Sequence, residues 1–104
     1  MSKKKYGRIV IKRYLVSDHY HIITYEFDDM YISVGLTSNN PNNKRNQKLH
    51  IVFESNGKTA RLKNTATVDK KNKYSKKNAN FTVGIETEEK ALAISKSKKE
   101  KINK

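Results

Sequence analysis

The chain contains no cysteine, which excludes disulfides, thiolate zinc sites and a cysteine nucleophile together. No run of 18 apolar residues occurs in its 104 residues, so no segment reads as a membrane span. A glycine-rich phosphate loop, a paired carboxylate motif and a Gly-x-Ser-x-Gly elbow are missing as well. Apolar residues make up only 35% of the chain and mean hydropathy is -0.91, so the core must be small and part of the chain must be loop or tail. The length fits one domain. The basic N-terminus (Met1-Ser2-Lys3-Lys4-Lys5) leads into a strand interrupted by Lys12 and Arg13 rather than a signal-type apolar core, which reads as cytoplasmic.

Acidic residues are scarce beside basic ones. Lys and Arg number 23 against 10 Asp and Glu, for a net charge of +13. Residues 1–36 carry +2, residues 37–85 carry +9 and residues 86–104 carry +2, so the excess sits on the middle of the chain. A cationic folded region points to a polyanion, most simply nucleic acid. The competing explanation is a composition in which surface lysine and asparagine are filler.

The pattern of side chains is mostly that of strands. Residues 7–16 are β-branched and partly alternating, residues 19–27 alternate, and Asp28-Asp29 reverses the chain into residues 31–36, predicting an antiparallel hairpin. Ile32, Val34 and Leu36 are expected to face the core. An eleven-residue polar loop, 37–47, follows, broken by the single proline, Pro41. Residues 48–54 form the next strand, with Leu49, Ile51 and Phe53 inward. Asn56-Gly57 is a strong type I′ turn signal into a strand over 58–63. A short strand near 65–68, a polar basic loop over 70–78 and a last strand over 81–85 complete the β pattern. Thr87 then reads as the cap of a helix with Glu88 and Glu89 in its first turn, Lys96, Lys98 and Lys99 at its end, and Ala91, Leu92 and Ile94 as its apolar face. The predicted fold is mainly β (α+β): a strongly bent antiparallel sheet or partly open barrel of five to six strands with one short C-terminal helix. Residues 1–6 read as a disordered basic arm, 7–99 as one domain and 100–104 as a disordered basic tail.

Few residues are placed to carry chemistry. His19 and His21 share a strand face, but no carboxylate or thiol completes a metal set, so no metal or other cofactor is expected. Thr37 and Ser38 end a core strand where the basic loop opens. With His50 near the loop's far end, they offer the hydroxyls and the titratable base that 2′-hydroxyl attack in RNA cleavage needs; the alternative is plain turn chemistry. Lys44, Arg45, Lys48, Lys58, Arg61, Lys63, Lys70, Lys71 and Lys73 are candidate phosphate contacts, and Tyr74 is a candidate stacking platform.

The order Tyr31-Ile32-Ser33-Val34-Gly35-Leu36-Thr37-Ser38, variable basic loop, strand and Asn-Gly turn resembles the MazF/PemK and ToxN/AbiQ group of toxin endoribonucleases over residues 19–70. The resemblance implies a bent-sheet fold in which the Leu-Thr-Ser strand end faces RNA. Thr37 and Ser38 would then be active-site residues, Lys44 or Arg45 would contact phosphate, and an antitoxin (protein or RNA) would be the partner. The chain departs from the group by carrying Gly35 where a proline is usual and by lacking its longer helices; Lys12 and Arg13 are the candidates for its N-terminal basic residue. Three functions are therefore carried forward. They are a metal-independent endoribonuclease, a non-enzymatic phage or plasmid nucleic-acid-binding module with RNA ahead of DNA, and a phage-type effector that binds an acidic host protein.

Overall fold

A computed structural model describes residues 7–16, 19–38, 44–71 and 77–102, with the side chains of Val16, Arg45, Asn46, Lys77 and Asn78 left aside. Lys73 and Tyr74 lie outside the described residues, as do the termini 1–6 and 103–104.

Strands β1 (Arg8–Val16), β2 (His19–Glu26) and β3 (Met30–Ser38) are followed by one helical turn, α1 (Lys44–Gln47). Then come β4 (Ile51–Ser55), β5 (Lys58–Lys70), the two-residue β6 (Lys77–Asn78) and the helix α2 (Ile85–Ile102). The strands form one antiparallel sheet in the order β4-β5-β3-β2-β1-β6. Its bend has an identifiable cause. Each long strand pair contains a register shift: extra residues sit between Ile9 and Lys12, at Thr24, between Leu62 and Ala66, and at Val52. Bulges of this kind increase local twist and curl a sheet, giving the half-barrel, mainly β architecture that the sequence pattern predicts. At the first bulge Ile11 takes φ 42°, a left-handed conformation that a β-branched residue adopts only where its neighbours hold it.

One face of the sheet carries Ile22, Ile32, Val34, Leu36, Leu62 and Ala66, all buried, against α2. The helix presents Thr87, Ala91 and Ser95 there. These are small residues four apart, which lie in one row and let the backbones approach closely. Bulging at Thr24 turns both Thr24 and Tyr25 toward the helix. Thr24 Oγ1 meets Ser95 Oγ at 2.6 Å, and the Lys99 ammonium lies 4.9 Å from the centre of the Tyr25 ring.

Several boundaries differ from the sequence expectation. The helix begins at Ile85, because the Gly84 carbonyl accepts the Glu88 N–H at 3.0 Å. It runs through Ile102, so it is longer than expected and Thr87 lies inside its first turn rather than capping it. The strand predicted over 81–85 is absent: Arg13 donates its guanidinium to the Phe81 carbonyl, taking the acceptor a ladder would need. Among the described residues the ladder with β1 covers Lys77 and Asn78, extended by the Ala79 N–H donating to the Arg13 carbonyl at 3.2 Å. The two short strands expected over 58–68 are one continuous β5. Leu49 precedes β4 and Ile51 is 42% exposed; Val52 and Phe53 are the β4 residues packed on the core.

Candidate nucleic-acid interface

Beyond the N-terminal end of α2 the sheet is left partly open. A groove of about 860 Å³ lies there between the end of β3, β4, the start of β5, the start of β2 and residues 80–82. Its apolar centre is an aromatic trio. Phe53 stacks on Phe81 at 5.0 Å, and Tyr20 stands edge-on to both, at 5.8 and 5.7 Å. Alternation along β2 sends Ile22 into the core and Tyr20 to the same side at the strand's outer end, where it is 41% exposed. Around the trio stand His19, Thr37, Ser38, Glu54, Lys58, Thr59 and Asn80, a rim of hydroxyls and an amide with one lysine and one carboxylate.

The predicted residues are only partly brought together. Thr37 and Ser38 line the groove. His50 does not line it; its Nε2 lies 2.7 Å from the buried Thr87 Oγ1, tying the approach to β4 to the first turn of α2. Arg61 donates to the carbonyls of Gln47 and Leu49 at 3.0 and 2.8 Å, so it shapes the turn before β4. Lys44, Lys48, Lys58, Lys63 and Lys70 are exposed, whereas Lys71 pairs with Glu26 at 3.5 Å.

The sheet's other face was not singled out by sequence reasoning. Strand register sets its residues in cross-strand rows: Tyr14-His21-Gly35, Lys12-Ile23-Ser33-Thr67 and Arg8-Glu26-Tyr31-Asp69. His21 Nδ1 reaches diagonally from the first row to Ser33 Oγ in the middle row at 3.2 Å, and Ser33 Oγ meets Thr67 Oγ1 within that row at 3.3 Å. In the outer row the Glu26 carboxylate, 11% exposed, holds Lys12 at 3.3 Å, Arg8 at 3.4 Å and Lys71 at 3.5 Å. Burial alone would raise the Glu26 pKa, but hydrogen bonding and charge from Lys12, the charge of Lys71 and the bond from Arg8 outweigh it and hold it below 4.5. His21 is shifted down from 6.5 by burial first, then by Lys63 and His19, with Asp69 opposing. Polar residues at alternate positions of the central strands (His21, Ser33, Thr67) were the signal available for this face.

Among the described residues no three His, Asp or Glu side chains converge as metal ligands, and no helix there is long and apolar enough to cross a membrane. Comparison with family models, curated proteins and solved structures returns no match.

Proposed function

We propose that this chain binds single-stranded RNA, with bases against the aromatic trio and the sugar-phosphate backbone along the hydroxyl and lysine rim. The observation that carries the reading is Tyr20, which stands exposed on the groove and is backed by Phe53 and Phe81. An unpaired base presents a π-face that such a ring accepts whatever the sequence, and an exposed 2′-hydroxyl finds partners among Thr37, Ser38, Thr59 and Asn80. The +9 charge of residues 37–85 supplies the long-range attraction to phosphate.

A second reading, metal-independent cleavage of the bound strand, is favoured by one observation: His19, Thr37 and Ser38 line the same groove. A ring nitrogen and two hydroxyls are groups that could take a 2′-hydroxyl proton and donate to a developing phosphorane. Under this reading the partner would include an antitoxin, as the toxin resemblance implies.

One experiment tests both. Labelled mixed-sequence RNA is incubated with the protein in EDTA, and mobility and fragmentation are followed together. A salt-sensitive shift with intact RNA supports binding alone. Discrete cuts that vanish in a Thr37→Ala/Ser38→Ala variant support cleavage. The absence of any shift would overturn the RNA reading and turn attention to an acidic protein partner.

A further inference from the structure

His21 and Lys63 meet over the one position of the polar face that lacks a side chain. A Cβ on Gly35 would lie 3.3 Å from His21 Cε1 and 3.4 Å from Lys63 Cδ, so the ring and the lysine stem flank the same small space from β2 and β5. Lys63 reaches it because the β5 bulge brings residue 63 opposite Gly35, between the Val34-Ala66 and Leu36-Leu62 pairs. Behind the ring the hydroxyls are fixed: Ser33 is 1% exposed and bridges His21 Nδ1 to Thr67. With Nδ1 engaged inward, the ring's other nitrogen, Nε2, points away from Ser33. His19, two residues along the same strand, lines the aromatic groove and reaches His21 only as a nearby charge.

We propose that His21 Nε2 and the Lys63 ammonium bind a phosphate-type oxyanion on this face. The site stands apart from the aromatic groove and does not depend on the RNA reading. The hydroxyl chain suits it chemically. With neutral His21, Thr67 donates to Ser33 and Ser33 donates to Nδ1, leaving a proton on Nε2 to give to an anion. With protonated His21, Nδ1 donates to Ser33, which turns its own proton to Thr67. The ring can thus take up a proton as an anion arrives without stranding a buried hydroxyl. The other ionisable groups close by are Asp69, which opposes an anion, and His19, with the phenol of Tyr14 across the strand from His21. The Arg8, Lys12 and Lys71 cations are already taken by Glu26. Lys63, exposed, pairs with no carboxylate among the described residues.

The test follows the three histidine rings by NMR through a pH titration, in chloride and then in inorganic phosphate at matched ionic strength. Phosphate should raise the apparent pKa of His21 saturably, by at most about one unit at tenfold excess over the Kd of the protonated form, while the His50 ring shows no such response. Lys63→Met should raise the phosphate-free pKa of His21, because a neighbouring positive charge is gone, and should abolish the phosphate-induced rise. Far-UV circular dichroism checks that this exposed substitution leaves the fold intact. A short RNA oligonucleotide forms the second arm. If it shifts His21 at a lower phosphate concentration than inorganic phosphate does, the ligand is a backbone phosphodiester; if only inorganic phosphate acts, the site takes a free phosphate group. A His21 response no larger than that of His50, or one undiminished by Lys63→Met, overturns the site.

Discussion

Thr24 and Ser95, 71 residues apart, share a hydrogen bond of 2.6 Å where the central sheet meets the helix, and both side chains are fully buried. Each hydroxyl has one proton. Ser95 donates its own to the Ala91 carbonyl at 2.9 Å, so it accepts from Thr24; the 3.3 Å contact of Thr24 with the Ile32 carbonyl is the fallback. Thr24→Val should therefore cost about 1–2 kcal/mol, because Ser95 loses its donor in a dry site. Ser95→Ala should cost less, since Thr24 can turn to Ile32. Urea unfolding of both single variants and the double variant checks this: the double should cost less than the sum, and strict additivity would show that the pair is not coupled.

His50 binds Thr87 and so joins β4 to the start of α2. His50→Ala should lower stability by roughly 1–2 kcal/mol, since a buried threonine hydroxyl loses its partner. It should leave RNA binding unchanged, because His50 does not line the groove. Thermal unfolding and a mobility-shift titration on the same sample separate the two effects. A large loss of binding or cleavage with unaltered melting would restore His50 to the functional site.

The polar face makes stability depend on pH in two separate windows. Folding lowers the His21 pKa below 6.5. As pH falls below 6.5 the unfolded chain takes up a proton that the folded chain refuses, so stability declines until the folded value is passed. Folding also lowers the Glu26 pKa below 4.5. Its contribution is present in full above that value and is lost as pH falls through the lower folded one. Glu26→Gln should remove the acid step alone and should cost roughly 1–2 kcal/mol at neutral pH, with Arg8 adding little because it is 78% exposed. Denaturant midpoints measured from pH 8 to pH 3 show the steps; an unchanged acid step in Glu26→Gln would remove Glu26 as its cause.

How much of this was legible in the sequence depends on whether a residue's partner is local. Alternation placed Ile32, Val34 and Leu36 in the core, the Asn56-Gly57 signal marked a real turn with φ 52° and 74°, and the β2-β3 hairpin followed from Asp28-Asp29. The bulges were not legible. A single extra residue at Thr24 turns two neighbours to one side, and no residue type announces it in advance. The polar face escaped for the same reason: His21, Ser33 and Thr67 come from three strands, and only register brings them into contact. Thr87 resembled a cap because its type fits one, yet its hydroxyl serves a histidine 37 residues earlier. Tyr20 gave no sign of its neighbours, since Phe53 and Phe81 reach it from distant segments.

Stacking in the groove and charge on the segment before β4 make separable demands on RNA binding, so two substitutions with different signatures test it. Tyr20→Ala removes the exposed ring and should weaken RNA binding by roughly 1–3 kcal/mol, about 5- to 150-fold, with little change in the slope of affinity against salt. Neutralising Lys44, Arg45 and Lys48 together should do the reverse. Affinity would fall across all sequences, and the slope would flatten by about two, because each single-strand phosphate contact contributes roughly 0.7 through counterion release. The expected pair of results is therefore one variant with a parallel, displaced salt line and one with a shallower line. If Tyr20→Ala binds like the parent while the triple variant loses binding, RNA is held by charge alone and the aromatic trio is packing. If the triple variant keeps the parent slope, the loop before β4 does not meet phosphate, and the cations of β5 become the contact.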